Sequence, residues 1–226
     1  MTREDMTTIT KKKAEEVIKT LWRFRSFYDS GIREIRSCVS TSASEWHDSL
    51  TTELQSLRAS HPLSLRIGFL EQNLESIEAV GELADRLTIG AIYIRFETRI
   101  KSLIETGVPN AAGCTRFTWP KIVACLEGIG IRPTTLCGYR EITELRLINN
   151  AIKHHCGRIS KELIPFGYSV SAPIPDLSQS FERFIAGCDA FVNVLVEQVV
   201  RFHDPTGHIV GQIERGWREL FSPMEL

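Results

Sequence analysis

Residues 65–105 read LRIGFLEQNLESIEAVGELADRLTIGAIYIRFETRIKSLIE, and this stretch decides the fold class of the chain. Its large apolar residues recur at steps of three and four, the spacing that gathers side chains on one face of an α-helix. The residues that keep this period are Phe69, Leu70, Leu74, Ile77, Val80, Leu83, Leu87, Ile92, Phe96, Ile100 and Leu103. Because Gly81 and Gly90 fall inside the stretch, the pattern predicts either two helices or one kinked helix.

The same period predicts helices along the rest of the chain. They are expected at residues 8–38, 45–59, 119–127, 135–156 and 181–199, with a last turn or two within 209–220. The Ser/Thr-rich residues 40–44 predict the break between the first two helices. Pro120 suits the first turn of the short third helix, and Asp176 or Ser178 can cap the helix that starts near residue 181. Strand evidence is confined to the three residues Tyr168-Ser-Val170.

These patterns predict an all-α helical bundle, with one long loop at residues 157–175 before the last long helix. A chain of 226 residues can bury a substantial core without disulfide bonds. We expect residues 1–62 to form an N-terminal helical segment packed on the bundle. Residues 63–226 are expected to form the bundle itself with a C-terminal tail, and the whole to be one domain.

Composition excludes several classes of protein. A hydrophobic content of 42%, a charged content of 24% and a formal net charge of −1 are ordinary for a soluble globular protein. Such a balance excludes a generally basic nucleic-acid coat, so any nucleic-acid contact has to be local. The opening Met1-Thr-Arg-Glu-Asp is not a signal peptide, and no stretch approaches the roughly 18 uninterrupted apolar residues of a membrane span. We expect a cytoplasmic protein that does not contact membranes.

The cysteines, the histidines and the short motifs predict no metal or cofactor. Six cysteines are scattered without a CxxC pair, which is typical of reduced, packed thiols. A cluster of His154, His155 and Cys156 with His203 or His208 would match none of the usual zinc spacings. Walker, GxGxxG and GxSxG motifs are absent from the sequence, so the usual nucleotide-hydrolase and α/β-hydrolase interpretations are excluded.

The polar chemistry is concentrated in residues 139–157, which read YREITELRLINNAIKHHCG. On a helical wheel one arc is apolar and the opposite side carries three polar residues four apart; the arc is Leu145, Ile148, Ala151 and Ile152, and the polar row is Arg146, Asn150 and His154. One face is therefore expected to pack while the other presents donors. Such a row suits a phosphodiester, because arginine offers a forked donor and histidine can move a proton near neutral pH.

A purely structural role would explain the same residues. Gly157 suits a C-terminal capping position, and residues 153–155 lie in the last turn, where each cation stabilises a helix by about 0.3–1 kcal/mol. Arg95 and Arg99 lie one turn apart on an earlier helix and can form an ordinary ion-paired, exposed face. The residue pattern leaves both interpretations open.

Asn150-Ala-Ile-Lys-His154, with Gly157 after it and Arg95-Phe-Glu97 on an earlier helix, resembles the HEPN superfamily of small helical bundles. The resemblance covers roughly residues 65–200, by helix order more than by identity. It implies a HEPN-like bundle, and many such proteins are metal-independent ribonucleases of prokaryotic toxin–antitoxin, abortive-infection and CRISPR-linked systems. In that family four to six residues lie between an arginine and the histidine that follows it.

The arginine of this motif is displaced in the chain. When Asn150 and His154 are aligned with the family pattern, Asn149 occupies the arginine position and the nearest arginine is Arg146. A rise of 1.5 Å per residue separates Arg146 from His154 by about 12 Å along one helix. In the superfamily the motif helices of two protomers face each other. The resemblance therefore implies a homodimer in which Arg146 of one chain and His154 of the other converge.

The enzyme hypothesis is a metal-independent ribonuclease, with catalytic roles for Arg146, Asn150 and His154. His154 would act as general acid or base on an RNA 2′-hydroxyl and on the leaving oxygen. Arg146, helped by Lys153, would stabilise the charge on the phosphorane, and Asn150 would orient it as a donor. The further RNA-binding residues are expected to be Asn149, Lys153, His155 and Arg95.

Two other hypotheses remain open at this stage. In the first, the same helix face belongs to a noncatalytic HEPN-like module that binds nucleic acid or a protein partner, such as an antitoxin or a defence-system subunit. In the second, the chain is a structural bundle whose polar helix end is merely well capped, and its polar residues are dispersed and exposed. A formal net charge of −1 is compatible with all three.

Overall fold

A computed structural model describes residues 3–25, 30–109, 111, 118–154, 158–174 and 177–211. Within these ranges the chain is an all-α helical bundle and contains no β-strand, as the sequence predicts. Its principal helices are α1 (Arg3–Trp22), α2 (Ser30–Ser60), α3 (Leu65–Gly107), α4 (Trp119–Gly128), α5 (Tyr139–His154) and α6 (Phe181–His203). Short 3-10 helices lie at Pro133–Thr135, Lys161–Phe166 and Ser178–Ser180.

The N-terminal helices differ from the prediction. A single helix over residues 8–38 is wrong, because α1 ends at Trp22 and the chain turns at residues 23–25. The predicted break at residues 40–44 is also wrong, because α2 runs through this Ser/Thr-rich stretch without interruption. Serine and threonine have only modestly unfavourable helix propensities, and the packing of α2 along α3 overrides so weak a preference.

α3 is one continuous helix of 43 residues. Gly81 and Gly90 both lie inside it, so of the two predicted alternatives the single helix is the one that forms. A glycine in a helix interior costs about 1 kcal/mol relative to alanine. The apolar residues that α3 buries along its length outweigh this cost, and the helix ends at Gly107, where the loop was predicted to begin.

α4 and α5 lie close to their predicted positions. α4 begins at Trp119 with Pro120 in its first turn, as expected. α5 begins at Tyr139, four residues later than predicted, because Pro133–Thr135 forms a separate 3-10 turn and Gly138 takes a left-handed conformation with φ of +81°. That glycine is the position where the chain changes direction into α5.

The predicted loop at 157–175 contains local structure in its described part. Arg158 and Pro173 form an isolated antiparallel bridge, and Lys161–Phe166 is a 3-10 helix. Tyr168-Ser-Val170, the candidate strand, is not a strand. Ser178 lies inside the 3-10 turn that precedes α6, so Ser178 is not the N-cap of that helix. The other predicted cap, Asp176, lies outside the described residues.

The residues cluster in two compact units that do not coincide with simple stretches of sequence. The first unit is Met1–Phe27, Arg95–Ile142 and Ile185–Leu226, and the second is Tyr28–Ile94 and Thr143–Phe184. Aromatic rings form the centre of the first unit, with ring centroids 5.9 to 6.4 Å apart among Phe96, Trp119, Tyr139 and Phe191. The second unit buries aliphatic residues of α3 and α5 with Phe181 and Phe184 of α6. The expected boundary near residue 62 stays a prediction.

Asp204 caps the helical turn that begins at His208. Its carboxylate accepts hydrogen bonds from the backbone N–H groups of His208, Ile209 and Val210 at 3.1, 2.8 and 3.0 Å. Desolvation by burial raises the pKa of Asp204, but these bonds and one from the Thr206 hydroxyl outweigh it and hold the pKa below its ordinary value. The charged carboxylate is therefore the form that stabilises the fold.

We expect Asp204→Ala to lower the free energy of unfolding by about 1 kcal/mol at neutral pH. Because the folded pKa is depressed, this contribution is complete above the unfolded pKa of about 3.9 and is lost as the pH falls through the folded value. Urea unfolding of parent and variant, near pH 7 and again near pH 2, measures the difference. A gap between the two proteins that is as large in acid as at neutral pH would contradict this role.

Candidate functional site

The apolar side of α5 sets the orientation of its polar side. Leu145, Ile148 and Ala151 are completely buried and Ile152 is half-buried, which confirms the predicted apolar arc. Burial of these side chains fixes the rotation of α5 about its axis. The opposite side of the helix is therefore presented in one defined direction.

The predicted polar row changes from half-buried to exposed along α5. Arg146 and Asn150 are half-buried, whereas Lys153 and His154 lie in the last turn and are exposed. His155, the remaining predicted residue of this helix end, lies outside the described residues. The row thus begins half-buried and ends in solvent.

One hydrogen-bond donor of Arg146 is unsatisfied within the described part of the chain. Its Nε atom is buried and makes no hydrogen bond to any residue that the structure describes. A buried donor without an acceptor costs about 1–3 kcal/mol, so native proteins rarely leave one. Other arginines of the second unit are engaged, since Arg36 pairs with Asp85 and Arg183 with Glu144. Arg146 is therefore available to a ligand without first breaking an ion pair.

Asn149 is the second unsatisfied polar group on this part of α5. Only 1% of its surface is exposed, and its Oδ1 atom accepts no hydrogen bond within the described part of the chain. The same atom lies 3.7 Å from the position that a Cβ at Gly90 of α3 would occupy. That distance is ordinary van der Waals contact, so α3 lies against the Asn149 amide. Nε of Arg146 and Oδ1 of Asn149 supply one unused donor and one unused acceptor three residues apart.

Arg146 and His154 are not brought together within one chain. Both lie on α5, an uninterrupted α-helix, so their Cα atoms are about 12 Å apart along its axis. No hydrogen bond from a described residue orients the His154 ring. A single protomer therefore presents an arginine and a histidine at opposite ends of the row, and one scissile phosphate cannot contact both.

Arg95 lies in the first unit, whereas the α5 row lies in the second. It is half-buried, one turn before Arg99 on α3. Arg99 donates from Nε and Nη2 to the backbone carbonyls of Phe24 and Arg23 at 3.2 and 3.0 Å. Burial lowers the pKa of Arg99, and the neighbouring charge of Arg95 lowers it further. Arg99 thus stabilises the turn after α1, a structural role that the sequence did not reveal.

A charged network anchored by Glu144 was missed by the sequence analysis. Glu144 is 3% exposed and accepts two hydrogen bonds from Arg183 of α6, at 2.7 and 2.6 Å, and one from the Tyr168 hydroxyl at 2.7 Å. Burial raises the pKa of Tyr168, and the bond to the Glu144 carboxylate raises it further. The network fastens the segment after α5 to α5 and α6.

A weak signal for this network existed in the sequence. Glu144 precedes Leu145 and falls one turn before Ile148, so it lies on the apolar arc, as does Glu141 at the start of the helix. Its partners Tyr168 and Arg183 are 24 and 39 residues away. Their identity could not be read from local periodicity.

Metal sites and membrane spans were the other features considered in the sequence. No three histidine, cysteine, aspartate or glutamate side chains in this part of the chain are grouped as a metal site requires. None of the helices that the structure describes combines the length and the apolar composition of a membrane span. Comparison of the chain with protein-family models, with curated proteins and with solved structures finds no match.

Proposed function

We propose that the chain is a HEPN-like helical module that binds RNA through the polar face of α5. The observation that carries this proposal is the uncommitted Arg146, whose Nε is buried without a partner among the described residues. A guanidinium in that state gains a strong, charge-assisted hydrogen bond from a phosphate and loses no internal one.

RNA is favoured over other polyanions by the amide that follows Arg146 on the polar face. A phosphate oxygen can accept from the half-buried Arg146 guanidinium, and the half-buried amide of Asn150 lies one turn further along α5. The ribose 2′-hydroxyl is a donor that DNA lacks, and it can reach this amide directly or through an ordered water. Half-buried Asn150 and exposed Lys153 continue the face toward solvent and can contact the next phosphate.

The test is an RNA-binding titration with Arg146→Gln and a matched control on the same helix. Arg140→Gln removes an equal charge from an exposed residue of α5 that lies about 120° away on the helical wheel. We expect the Arg146 variant to bind single-stranded RNA about tenfold or more weakly, and to show a salt dependence reduced by about one phosphate contact. Arg140→Gln should bind as the parent does.

Three results would contradict the proposal that α5 binds RNA through Arg146. The parent could fail to bind RNA, the two arginine variants could weaken binding equally, or DNA of the same sequence could bind as tightly as RNA. Binding of a protein, such as an antitoxin or a defence-system subunit, that is lost in Arg146→Gln would instead favour the protein-binding version of this module.

Metal-independent RNA cleavage is the second candidate function, and the exposure of His154 supports it. A general acid or base has to reach its substrate, and His154 lies in solvent at the end of the same row. His154 would take the 2′-hydroxyl proton and return a proton to the leaving oxygen, while Arg146 of a second protomer stabilises the phosphorane. Such a reaction belongs to the prokaryotic defence or toxin–antitoxin setting, in the cytoplasm, that the HEPN resemblance implies.

One variant, His154→Ala, distinguishes RNA cleavage from RNA binding alone. Parent and His154→Ala are incubated with mixed RNAs in EDTA, and the products are examined for 2′,3′-cyclic phosphate ends. A nuclease requires cleavage by the parent and its loss in His154→Ala, with RNA affinity retained in both. If both proteins bind RNA and neither cleaves it, the binding-module proposal stands and the enzyme proposal is excluded.

A further inference from the structure

A long apolar groove runs between α2 and α3 in the second unit. One part, of roughly 600 Å³, is lined by Cys38, Ser42 and Trp46 of α2 and by Asn73, Ser76 and Val80 of α3, among others. A second part is lined by Ile35 and Val39 of α2 with Ala84 and Leu87 of α3. Val39 borders both parts, so they form one continuous surface on the same side of the two helices.

A row of exposed α3 side chains, four of which line this groove, follows the spacing of a coiled-coil seam. Along α3 they recur strictly at steps of four and three, as Phe69, Asn73, Ser76, Val80, Leu83 and Leu87. All six are exposed, and the four apolar ones expose 53–69% of their surface. Positions one residue further along, such as Leu70, Ile77 and Ala84, are buried or half-buried. α3 thus carries two apolar seams, of which one stays exposed.

The charges of the two helices are placed away from this seam. α2 and α3 run antiparallel and are joined by ion pairs between Arg58 and Glu71, His47 and Glu78, and Arg36 and Asp85. On the α3 wheel these acids lie about 170° from the row of Val80 and Leu87, on the other side of the α2 contact. The residues that line the groove are apolar or neutral polar except for Arg36, whose charge is paired with Asp85 at 3.1 Å, so the groove adds little charge repulsion between two copies.

The size of the exposed face fits a second copy of the chain. Six large apolar side chains on it, Ile35, Trp46, Phe69, Val80, Leu83 and Leu87, are each more than half exposed. At roughly 100 Å² each they offer on the order of 600 Å² per chain, close to the ~800 Å² per partner of a standard interface. An apolar patch of this size lies at the upper end of what monomeric proteins expose. A formal net charge of −1 adds little repulsion between copies.

We infer that two copies of this chain associate through the α2–α3 groove, forming a four-helix bundle from two antiparallel hairpins. A two-fold axis places the exposed seam of one copy against the same seam of the other copy, as an isologous interface requires. Antiparallel helices of 31 and 43 residues, with a 3.5-residue repeat along α3, supply the length and the spacing from which such bundles are built. This interface uses α2 and α3 alone, so it does not depend on the RNA-binding proposal.

The test measures the molar mass of the full chain by sedimentation equilibrium from about 1 to about 100 μM. The parent should approach twice the 25.6 kDa of one chain. Leu87→Glu places a carboxylate of each copy in the apolar seam and should raise the dimer dissociation constant by at least about 100-fold. Val80→Lys, also on the seam, should do the same. Both residues are exposed in one chain, so thermal unfolding of the variants should match that of the parent monomer.

Leu63→Glu is the matched control, because Leu63 is 97% exposed in the connection between α2 and α3 and does not line the groove. It should leave the dimer intact. A parent that stays at 25.6 kDa throughout overturns the inference, including the case in which its groove accepts a foreign amphipathic helix. A dimer that survives both Leu87→Glu and Val80→Lys overturns it equally, since the interface would then lie elsewhere.

Discussion

Gly138→Ala is expected to destabilise the protein by more than about 3 kcal/mol, whereas Gly130→Ala costs only about 1 kcal/mol. Both glycines have a left-handed backbone, with φ of +81° and +82°, so alanine introduces similar strain at each. The positions differ in their surroundings. A Cβ at Gly138 would lie 2.1 Å from the backbone oxygen of Gly187 and 2.9 Å from the nitrogen of Phe191, while a Cβ at Gly130 meets nothing within 4 Å.

The clash at Gly138 cannot be relieved by a side-chain rotation. Both atoms that the new Cβ would meet belong to the backbone of α6, and α6 is held there by the buried Cys188 and Phe191. Relief requires α5 and α6 to move apart, which would open the core that both helices share. Urea unfolding of parent, Gly138→Ala and Gly130→Ala gives the two free-energy differences directly. Equal losses for the two variants would show that backbone strain alone, and not helix contact, makes glycine necessary at position 138.

Arg183→Met is the second change with a large expected effect, about 3 kcal/mol of unfolding free energy. Arg183 donates two hydrogen bonds to Glu144, whose side chain is only 4% exposed. Methionine keeps most of the length of the side chain but leaves a buried carboxylate that accepts a hydrogen bond from the Tyr168 hydroxyl and has lost both bonds from Arg183. Breaking one partner of such a pair is costly because the other charge stays desolvated.

The control for this variant is Arg58→Met, which breaks an exposed pair in the same unit. Arg58 and Glu71 lie 2.5 Å apart, but their side chains are 57% and 46% exposed, so solvent screens the pair and its loss should cost no more than about 1 kcal/mol. A further variant, Arg183→Met with Glu144→Met, should recover part of the stability because it removes the unpaired charge. If Arg183→Met costs no more than Arg58→Met, Glu144 is solvated in the native state and the network is not a fastening of α5 to α6.

The candidate site was predictable only in part. Arg146, Asn150 and His154 share one side of α5 because two successive steps of four residues place them there, and the apolar arc opposite them is buried as expected. Burial of Asn149 was not predictable, because it depends on the packing of another helix, α3, against its amide. The Glu144 network joins residues up to 39 positions apart, which no local pattern encodes.

Sequence by itself determined the fold class, since the three- and four-residue apolar period persists through every long segment and only helices satisfy it. It also determined the chemical character of the α5 row. Tertiary structure decided where helices end and which faces are covered. α1 ends where Arg99 reaches the carbonyls of residues 23 and 24, and α2 continues through its serines because α3 packs along it. The period of α3 predicts its apolar seams, but only the positions of its neighbours decide that α2 covers one of them and leaves the other exposed.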